Sequence, residues 1–208
     1  MSAMIPLTQH TGVAAPLLRI NIDTDAIIPS REMKRVSKEG LGEALFANWR
    51  YANVATREED PDFVLNQKAY RNSTILIAGD NFGCGSSREH AVWALKDFGI
   101  RVIVAPSFGS IFYGNCILNG ILPLRLTQPQ VTELAEEIDA QLGVSFSIDL
   151  AAQILSTPAG IRTHFDISPS DKQMLLEGLD GIALTQKRDA AIRGFIQQDR
   201  TQRPWVYL

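Results

Sequence analysis

The sequence predicts a mixed α/β fold: a central parallel strand–helix–strand–helix–strand unit, with antiparallel strands and peripheral helices around it. Two observations support this prediction. In the middle of the chain, three short apolar runs alternate with two helical segments, and neighbouring parallel strands need such helical crossovers. Further along, two segments alternate apolar and polar residues with a period of two, which is typical of half-buried antiparallel strands.

The central unit lies between residues 74 and 126. Its predicted strands are Thr74–Ala78, Arg101–Ala105 and Ile121–Leu126, and its predicted helices are Ser86–Phe98 and Ser107–Asn119. A glycine follows each predicted helix, and glycine is the residue found most often just past a helix C-terminus. The apolar strands fit burial on both faces of a parallel sheet.

The N-terminal part is less regular. Residues 1–20 predict a strand, and residues 21–30 predict a loop because they are rich in turn-forming residues. Residues 31–63 show weak periodicity. Their polar run Arg57–Asp60 is the best candidate for a mobile insertion, because ordering a polar segment has an entropic cost that other contacts must offset.

The C-terminal part follows a different pattern. A capping box at Thr127 predicts the start of a helix. Alternation over residues 144–150 and 161–167 predicts antiparallel strands. Helical segments then continue to the C-terminus. We therefore expect one domain over residues 1–208, with a C-terminal helical extension from about 168 to 208.

Composition excludes several classes of protein. The net charge of −3 argues against a nucleic-acid-binding face, and no apolar stretch is long enough to span a membrane. The N-terminus has no pattern of a secretory signal. Only two cysteines are present, Cys84 and Cys116, so we expect a cytoplasmic protein without a disulfide framework. Two thiols are also too few for an iron–sulfur cluster, which takes about three or four.

Residues 79–90, Gly-Asp-Asn-Phe-Gly-Cys-Gly-Ser-Ser-Arg-Glu-His, carry the chemistry. They lie between a predicted strand and a predicted helix, where open α/β sheets bind ligands. Gly83 and Gly85 allow positive φ and a close approach of the backbone to a ligand. The serines at 86 and 87 are candidates to cap the helix, and Arg88 offers a bidentate donor. This combination indicates a site for an anion.

Three well-known motifs do not fit this segment. A dinucleotide fingerprint needs a glycine where Arg88 stands. A phosphate-binding P-loop needs a lysine, and none lies between residues 69 and 95. A nucleophile elbow needs glycines two residues before and two residues after the serine, and neither serine has both.

The segment Gly85–His90 closely resembles the Gly-Ser-Ser-Arg-Glu-His motif of the aconitase superfamily. Two further stretches, Asn21–Pro29 and Ala105–Cys116 followed by Asn119-Gly120, resemble motifs of isopropylmalate isomerase small subunits. Together the three cover residues 20–125. The resemblance implies a layered β/β/α swivelling domain that closes over cluster-bearing domains.

The resemblance also implies an activity. It assigns the catalytic base to Ser86 and the binding of a substrate carboxylate to Ser87 and Arg88. Arg31 is a further candidate, for a second carboxylate. The implied reaction is the isomerisation of isopropylmalate, a small dicarboxylate of leucine biosynthesis, by dehydration and rehydration. The implied partner is a large subunit that carries a [4Fe-4S] cluster, and no metal is expected on this chain.

Several alternatives remain open. Related dehydratases, of the homoaconitase, citraconate or dimethylmalate type, share the motif. The chain could also be a non-catalytic anion-binding module, or a serine hydrolase that pairs Ser86 with His90. For His90 and Cys84, packing is the simpler interpretation. For Asp23 and Asp25, it is shaping of the loop through hydrogen bonds to the backbone.

Overall fold

The computed structural model of the chain describes residues 4–34, 40–85 and 88–207. The strands are β1 (Gln9–Leu17), β2 (Tyr51–Asn53), β3 (Glu58–Glu59), β4 (Ile75–Ala78), β5 (Val102–Ala105), β6 (Leu122–Arg125), β7 (Ser145–Asp149), β8 (Ile154–Ser156) and β9 (Arg162–His164). The α-helices are α1 (Thr24–Ile27), α2 (Ala47–Arg50), α3 (Glu89–Phe98), α4 (Ser110–Asn119), α5 (Gln128–Ala140), α6 (Pro169–Glu177), α7 (Gly181–Gln186) and α8 (Asp189–Gln202). Short 3₁₀ turns cover Ser30–Lys34, Leu41–Ala44, Val64–Asn66 and Pro204–Tyr207.

Seven strands form one mixed sheet in the order β6-β5-β4-β1-β7-β8-β9. Strand β1 joins the two halves of this sheet. Its first part, from Gln9 to Val13, pairs antiparallel with β7, and its second part, from Ala14 to Leu17, pairs parallel with β4. The sheet therefore has a parallel half and an antiparallel half, as the sequence predicted.

The parallel half contains the predicted strand–helix–strand–helix–strand unit. β4, β5 and β6 pair in parallel, and α3 and α4 form the crossovers between them. Every residue of β4 and β5 is buried. Both helices begin three residues later than predicted, at Glu89 and Ser110. The early start at residue 107 was wrong because this residue pairs with a neighbouring loop.

The antiparallel half is a three-stranded meander, β7-β8-β9. The sequence predicted its outer strands but missed β8. At three residues, β8 is too short for an alternating pattern to stand out. The capping box at Thr127 is confirmed, since its backbone N–H donates to Gln130 Oε1 at 2.9 Å.

Residues 40–63 are part of the core despite their weak periodicity. Their longest helical turns have four residues, which is too short to give a periodic signal. Even so, Leu41, Leu45 and Phe46 are completely buried. The polar run also makes an ion pair, from Arg57 Nη2 to Glu32 Oε2 at 2.6 Å. The expected mobility of this region stays a prediction.

The C-terminal helices differ in how they contact the core. Helix α6 buries Met174 and Leu175, whereas α7 buries none of its residues and α8 buries only Asp199. The helical character predicted up to the C-terminus is confirmed from residue 181 onward as two helices, which are separated at Lys187-Arg188. None of the helices in the described part of the chain has the length and apolar character of a membrane span.

The burial of Phe46 gives a test of whether residues 40–63 fold with the core. We expect Phe46→Ala to lower the free energy of unfolding by about 3–5 kcal/mol, because it removes a fully buried aromatic ring. Leu142→Ala is the control. Leu142 is 67% exposed, so its truncation should change stability by less than about 0.5 kcal/mol. Urea denaturation measures both, and equal stability of the two variants would contradict the assignment.

Candidate active site

Three loops meet at the carboxyl ends of the neighbouring parallel strands β1, β4 and β5. We call them loop 1 (residues 18–24), loop 2 (79–88) and loop 3 (106–109). Loop 2 lies between the other two because β4 lies between β1 and β5 in the sheet. This edge of a parallel sheet is where α/β folds bind ligands. Each of the three motifs noted in the sequence contributes one loop. Ser86 and Ser87, within loop 2, lie outside the described residues.

Loops 1 and 2 are joined through their backbones. Gly83 N donates to Ile22 O at 2.7 Å, and Thr24 N donates to Cys84 O at 3.1 Å. These bonds continue the parallel pairing of β1 and β4 beyond the strand ends. They hold the start of α1 beside the middle of loop 2.

Loops 2 and 3 are joined in the same way on the other side. Phe82 N donates to Ser107 O at 3.1 Å, and Gly109 N donates to Phe82 O at 2.9 Å. Side chains add to this pairing, because Ser107 Oγ donates to Asp80 Oδ1 at 2.6 Å and accepts from Asn81 N at 3.0 Å. Residues 80–84 of loop 2 are therefore bonded to a neighbouring loop on both sides.

Glycine is required at two places where these loops approach each other. Gly83 has a φ of +72°, and a Cβ there would lie 2.1 Å from the ring of Phe112. A Cβ on Gly109 would lie 2.4 Å from the carbonyl oxygen of Gly83. Gly85 also has a positive φ, of +86°, as predicted. The close packing of loops 2 and 3 thus depends on the absence of side chains.

Arg88 and Asp25 bring a charged pair to the junction of loops 1 and 2. Arg88 Nη1 donates to Asp25 Oδ1, and the two side chains are 25% and 55% exposed. Asp25 lies in the first turn of α1, which Asp23 caps by accepting from Ala26 N at 2.7 Å. Shaping of the loop is thus confirmed for Asp23. Asp25 pairs with Arg88, and shaping of the loop through backbone hydrogen bonds stays a prediction for this residue.

The first turn of α3 is attached to α4 by a small polar cluster. Glu89 Oε1 accepts from Asn119 Nδ2 at 2.9 Å and from Trp93 Nε1 at 3.3 Å. The His90 ring packs against Trp93 with 4.6 Å between ring centroids, which agrees with the predicted packing role. The residue at the N-cap of α3 is Arg88, so the prediction that a serine occupies this position was wrong. Helix α3 thereby fixes the backbone that carries Arg88.

The cysteines do not form a cluster site. Burial, together with the nearby carboxylate of Asp23, raises the pKa of the Cys84 thiol. Cys116 is fully buried, and burial raises the pKa of its thiol well above the ordinary value. Both thiols are therefore harder to ionise than an ordinary cysteine, and two thiols are fewer than the roughly three or four that a cluster takes. In the described ranges, no three His, Cys, Asp or Glu side chains are grouped as a metal site.

Comparison with known proteins identifies the family. The model of the aconitase C-terminal domain matches residues 4–129. A relative from Cupriavidus necator, named 3-isopropylmalate dehydratase small subunit, is 58% identical over 206 residues and covers 99% of both chains. One of the same name from Rhodospirillum centenum is 50% identical over 203 residues, 98% of this chain and 99% of its own. The chain belongs to the aconitase C-terminal domain family, among the 3-isopropylmalate dehydratase small subunits.

A solved structure agrees with this family. The 3-isopropylmalate dehydratase of Methanocaldococcus jannaschii superposes with a TM-score of 0.66 at 26% identity. The superposition covers 89% of this chain and 98% of the other. The mixed α/β fold class predicted from the sequence is thereby confirmed.

Arg31 lies apart from the Arg88–Asp25 pair. Its guanidinium donates to Asn48 Oδ1 and lies 3.6 Å from Glu32 Oε1, and no contact with Arg88 or Asp25 is seen among the described residues. Asn48 in turn lines a cleft of about 500 Å³ beside the end of β1. Arg31 is thus connected to this cleft only through Asn48, and its role in binding a carboxylate stays a prediction.

Sequence reasoning did not find the partners that fix the site. Asp25 is separated from Arg88 by 63 positions, and Ser107 from Asp80 by 27. No local pattern signals such pairs. The only available signal was indirect: adjacent parallel strands place the loops that follow them side by side, so polar residues just past each strand are candidates to pair.

The approach of Gly109 to Gly83 gives a test of the loop junction. We expect Gly109→Ala to lower the free energy of unfolding by about 1–3 kcal/mol, because its Cβ would overlap a backbone oxygen. Gly114→Ala, in the same helix region, is the control. Apart from its chain neighbours and the backbone of α4, nothing in the described part of the chain lies within 4 Å of its Cβ, so alanine should stabilise α4 by about 0.5–1 kcal/mol. Opposite signs are expected in thermal or urea melts; a loss of stability in both, or in neither, would contradict the packing argument.

Proposed function

We propose that this chain is the small subunit of a two-chain hydro-lyase that interconverts 2-isopropylmalate and 3-isopropylmalate in leucine biosynthesis. The observation that carries the proposal is the position of Arg88, the arginine of the family motif, beside Asp25 where three loops meet. The near full-length similarity to relatives named 3-isopropylmalate dehydratase small subunit supports the choice of substrate. A cytoplasmic location is part of the proposal.

Arg88 is suited to bind one carboxylate of the substrate. A guanidinium has five N–H donors, and the ion pair with Asp25 uses one nitrogen. The remaining donors keep the planar geometry that matches a carboxylate. Asp25 would then act as a positioning residue, because it holds the guanidinium in one orientation before the substrate arrives. We propose that Ser87 contributes to the same carboxylate and that Arg31 reaches the second one.

The catalytic base in the proposal is Ser86. Its oxygen takes the proton from the carbon α to a carboxylate, the electron pair of that C–H bond forms the C=C bond, and hydroxide leaves from the adjacent carbon. Rehydration in the opposite sense returns the proton from Ser86 and places the hydroxyl on the other carbon. A serine hydroxyl is a weak base, so its alkoxide needs nearby positive charge, which Arg88 and the backbone N–H groups at the start of α3 would supply.

This chain does not fit an iron–sulfur cluster, because it has only two thiols and such a cluster takes about three or four. We propose that the large subunit holds a [4Fe-4S] cluster, which supplies Lewis acidity toward the departing hydroxyl. The small subunit would contribute carboxylate binding and proton transfer. The pair of chains, not either one, would then be the enzyme.

The first test is reconstitution. We expect the purified chain to be colourless and inactive, and addition of the cognate large subunit, with its cluster, to restore turnover. A panel of substrates distinguishes the related dehydratases: isopropylmalate should be turned over faster than homoaconitate, citramalate or dimethylmalate. An iron–sulfur absorption band and turnover in the chain alone would contradict the proposal. Hydrolysis of an activated ester by the chain alone would instead favour the serine hydrolase.

The second test separates the roles of the site residues in the reconstituted pair. We expect Ser86→Ala to lower kcat by about 10²–10⁴-fold with little change in KM, because it removes the base but keeps the carboxylate site. Arg88→Lys should raise KM as well as lower kcat. The loss of a charge-assisted hydrogen bond, about 1.5–3 kcal/mol, corresponds to roughly ten- to hundredfold in kcat/KM.

Asp25→Asn completes this series. It should reduce kcat/KM less than Arg88→Lys, because the guanidinium remains but is held less firmly. Arg71→Lys is the control, since Arg71 also pairs with a carboxylate, Glu59, at 2.6 Å, but belongs to none of the three loops. Thermal melts verify folding. A near-normal kcat for Ser86→Ala in a folded complex would remove Ser86 as the base.

A further inference from the structure

The last part of the chain forms a C-terminal arm (residues 189–207) that comprises α8 and the 3₁₀ turn Pro204–Tyr207. This arm has almost no share in the core. Of the fourteen residues of α8 only Asp199 is buried, and the turn buries none. The core therefore does not account for the presence of the arm.

The arm is nevertheless ordered by its own contacts. The Asp199 carboxylate accepts from Arg203 Nε at 2.7 Å, from Arg203 Nη2 at 2.9 Å and from the Tyr207 hydroxyl at 2.7 Å. The Arg200 guanidinium lies 5.2 Å from the centre of the Tyr207 ring. These hydrogen bonds lower the pKa of the Asp199 carboxyl, so it is ionised at neutral pH. The turn is thus folded back onto α8 before any partner is present.

The arm directs large apolar side chains into solvent. Phe195 is 62% exposed, Trp205 is 66% exposed and Val206 is also exposed. Exposed aromatic side chains on an ordered scaffold are typical of the anchors of protein–protein interfaces, where a few such residues carry most of the binding energy. Because the arm is ordered by its own contacts, it would lose little conformational entropy on binding, which favours affinity.

The charge of this region differs from that of the remaining chain. The arm itself contains three basic residues, Arg193, Arg200 and Arg203, and two acidic ones, Asp189 and Asp199, whereas the whole chain has 20 basic and 23 acidic residues. Arg193 and Arg203 form ion pairs with Asp189 and Asp199 of the same arm, so its excess of positive charge is small. Its charges largely balance one another, and the exposed apolar side chains fit a partner surface with an apolar pocket.

Similarity to the relatives indicates the kind of partner. The aconitase C-terminal domain match ends at residue 129, but the alignments to relatives named small subunit span 203–206 of the 208 residues. The arm is therefore a shared part of proteins that are named as one subunit of a larger enzyme. Assembly of the larger enzyme through the arm would explain why these relatives share a segment whose surface is exposed.

We propose that the C-terminal arm is a docking element for the large subunit, with Phe195 and Trp205 as its apolar anchors. This inference rests on the proposed function, because it takes the partner from there. It places assembly on a surface outside the three site loops. The arm would thus hold the two chains together without contributing a group to the reaction.

The test measures the affinity of the full-length chain for the large subunit. We expect Phe195→Ala and Trp205→Ala each to raise Kd by about tenfold or more, as truncation of an interface anchor does. Leu142→Ala, at 67% exposure, is the matched control and should leave Kd unchanged. At saturating large subunit all three variants should keep the wild-type kcat. Their melting temperatures should match the wild type, because the truncated side chains are exposed.

The outcomes separate the two proposals. If the wild-type pair binds and turns over isopropylmalate but the arm variants bind with unchanged Kd, the docking proposal is overturned and the proposed function stands. If the arm variants change only self-association of the small subunit, measured by sedimentation, the surface belongs to a second copy and the docking proposal is again overturned. Absence of both binding and turnover in the wild-type pair would overturn the proposed function, and the docking proposal with it.

Discussion

Backbone hydrogen bonds that continue past the strand ends are the constraint on which the site depends. Among the described residues, loop 2 pairs through its backbone with a loop on each side, beyond the ends of β1, β4 and β5. Buried peptide groups need hydrogen-bond partners, so each loop satisfies the groups of its neighbour. This close pairing of the loops requires glycine at certain positions, such as Gly83 and Gly109. Given this arrangement, the side chains at the junction have fixed positions without being part of the core.

The parallel half of the fold could be predicted because each of its strands is an uninterrupted apolar run followed by a helix and a glycine. Such strands are buried on both faces, so composition alone identifies them. The limits of the helices could not be predicted, since tertiary pairing decides them. Ser107 has the character of a helix start, but its backbone carbonyl accepts from Phe82 in loop 2. β8 was missed because three residues do not make a pattern.

The chemistry of the candidate site could be predicted from the sequence, but the arrangement of its residues could not. A loop between a strand and a helix indicates an anion-binding site when it contains two glycines, two serines and an arginine. This inference needs only the local sequence. The pairing of Arg88 with Asp25 joins residues that are far apart in the chain, and only the order of β1 and β4 in the sheet brings them together. His90 shows the reverse case, since a residue of catalytic type proves to pack on Trp93.

The exposure of the Arg88–Asp25 pair explains why a second chain would matter for the chemistry. Arg88 is 25% and Asp25 55% exposed, so water screens their charges in the isolated chain. At a separation of about 4 Å, two unit charges interact by about 1 kcal/mol in water but by about 4 kcal/mol at the lower effective dielectric constant of a protein surface. A partner that covers the three loops would displace this water and strengthen the attraction of Arg88 for a carboxylate and for a developing alkoxide. On the proposed function, the small subunit thus provides an ordered half of a site whose electrostatics become effective only when the other half closes over it.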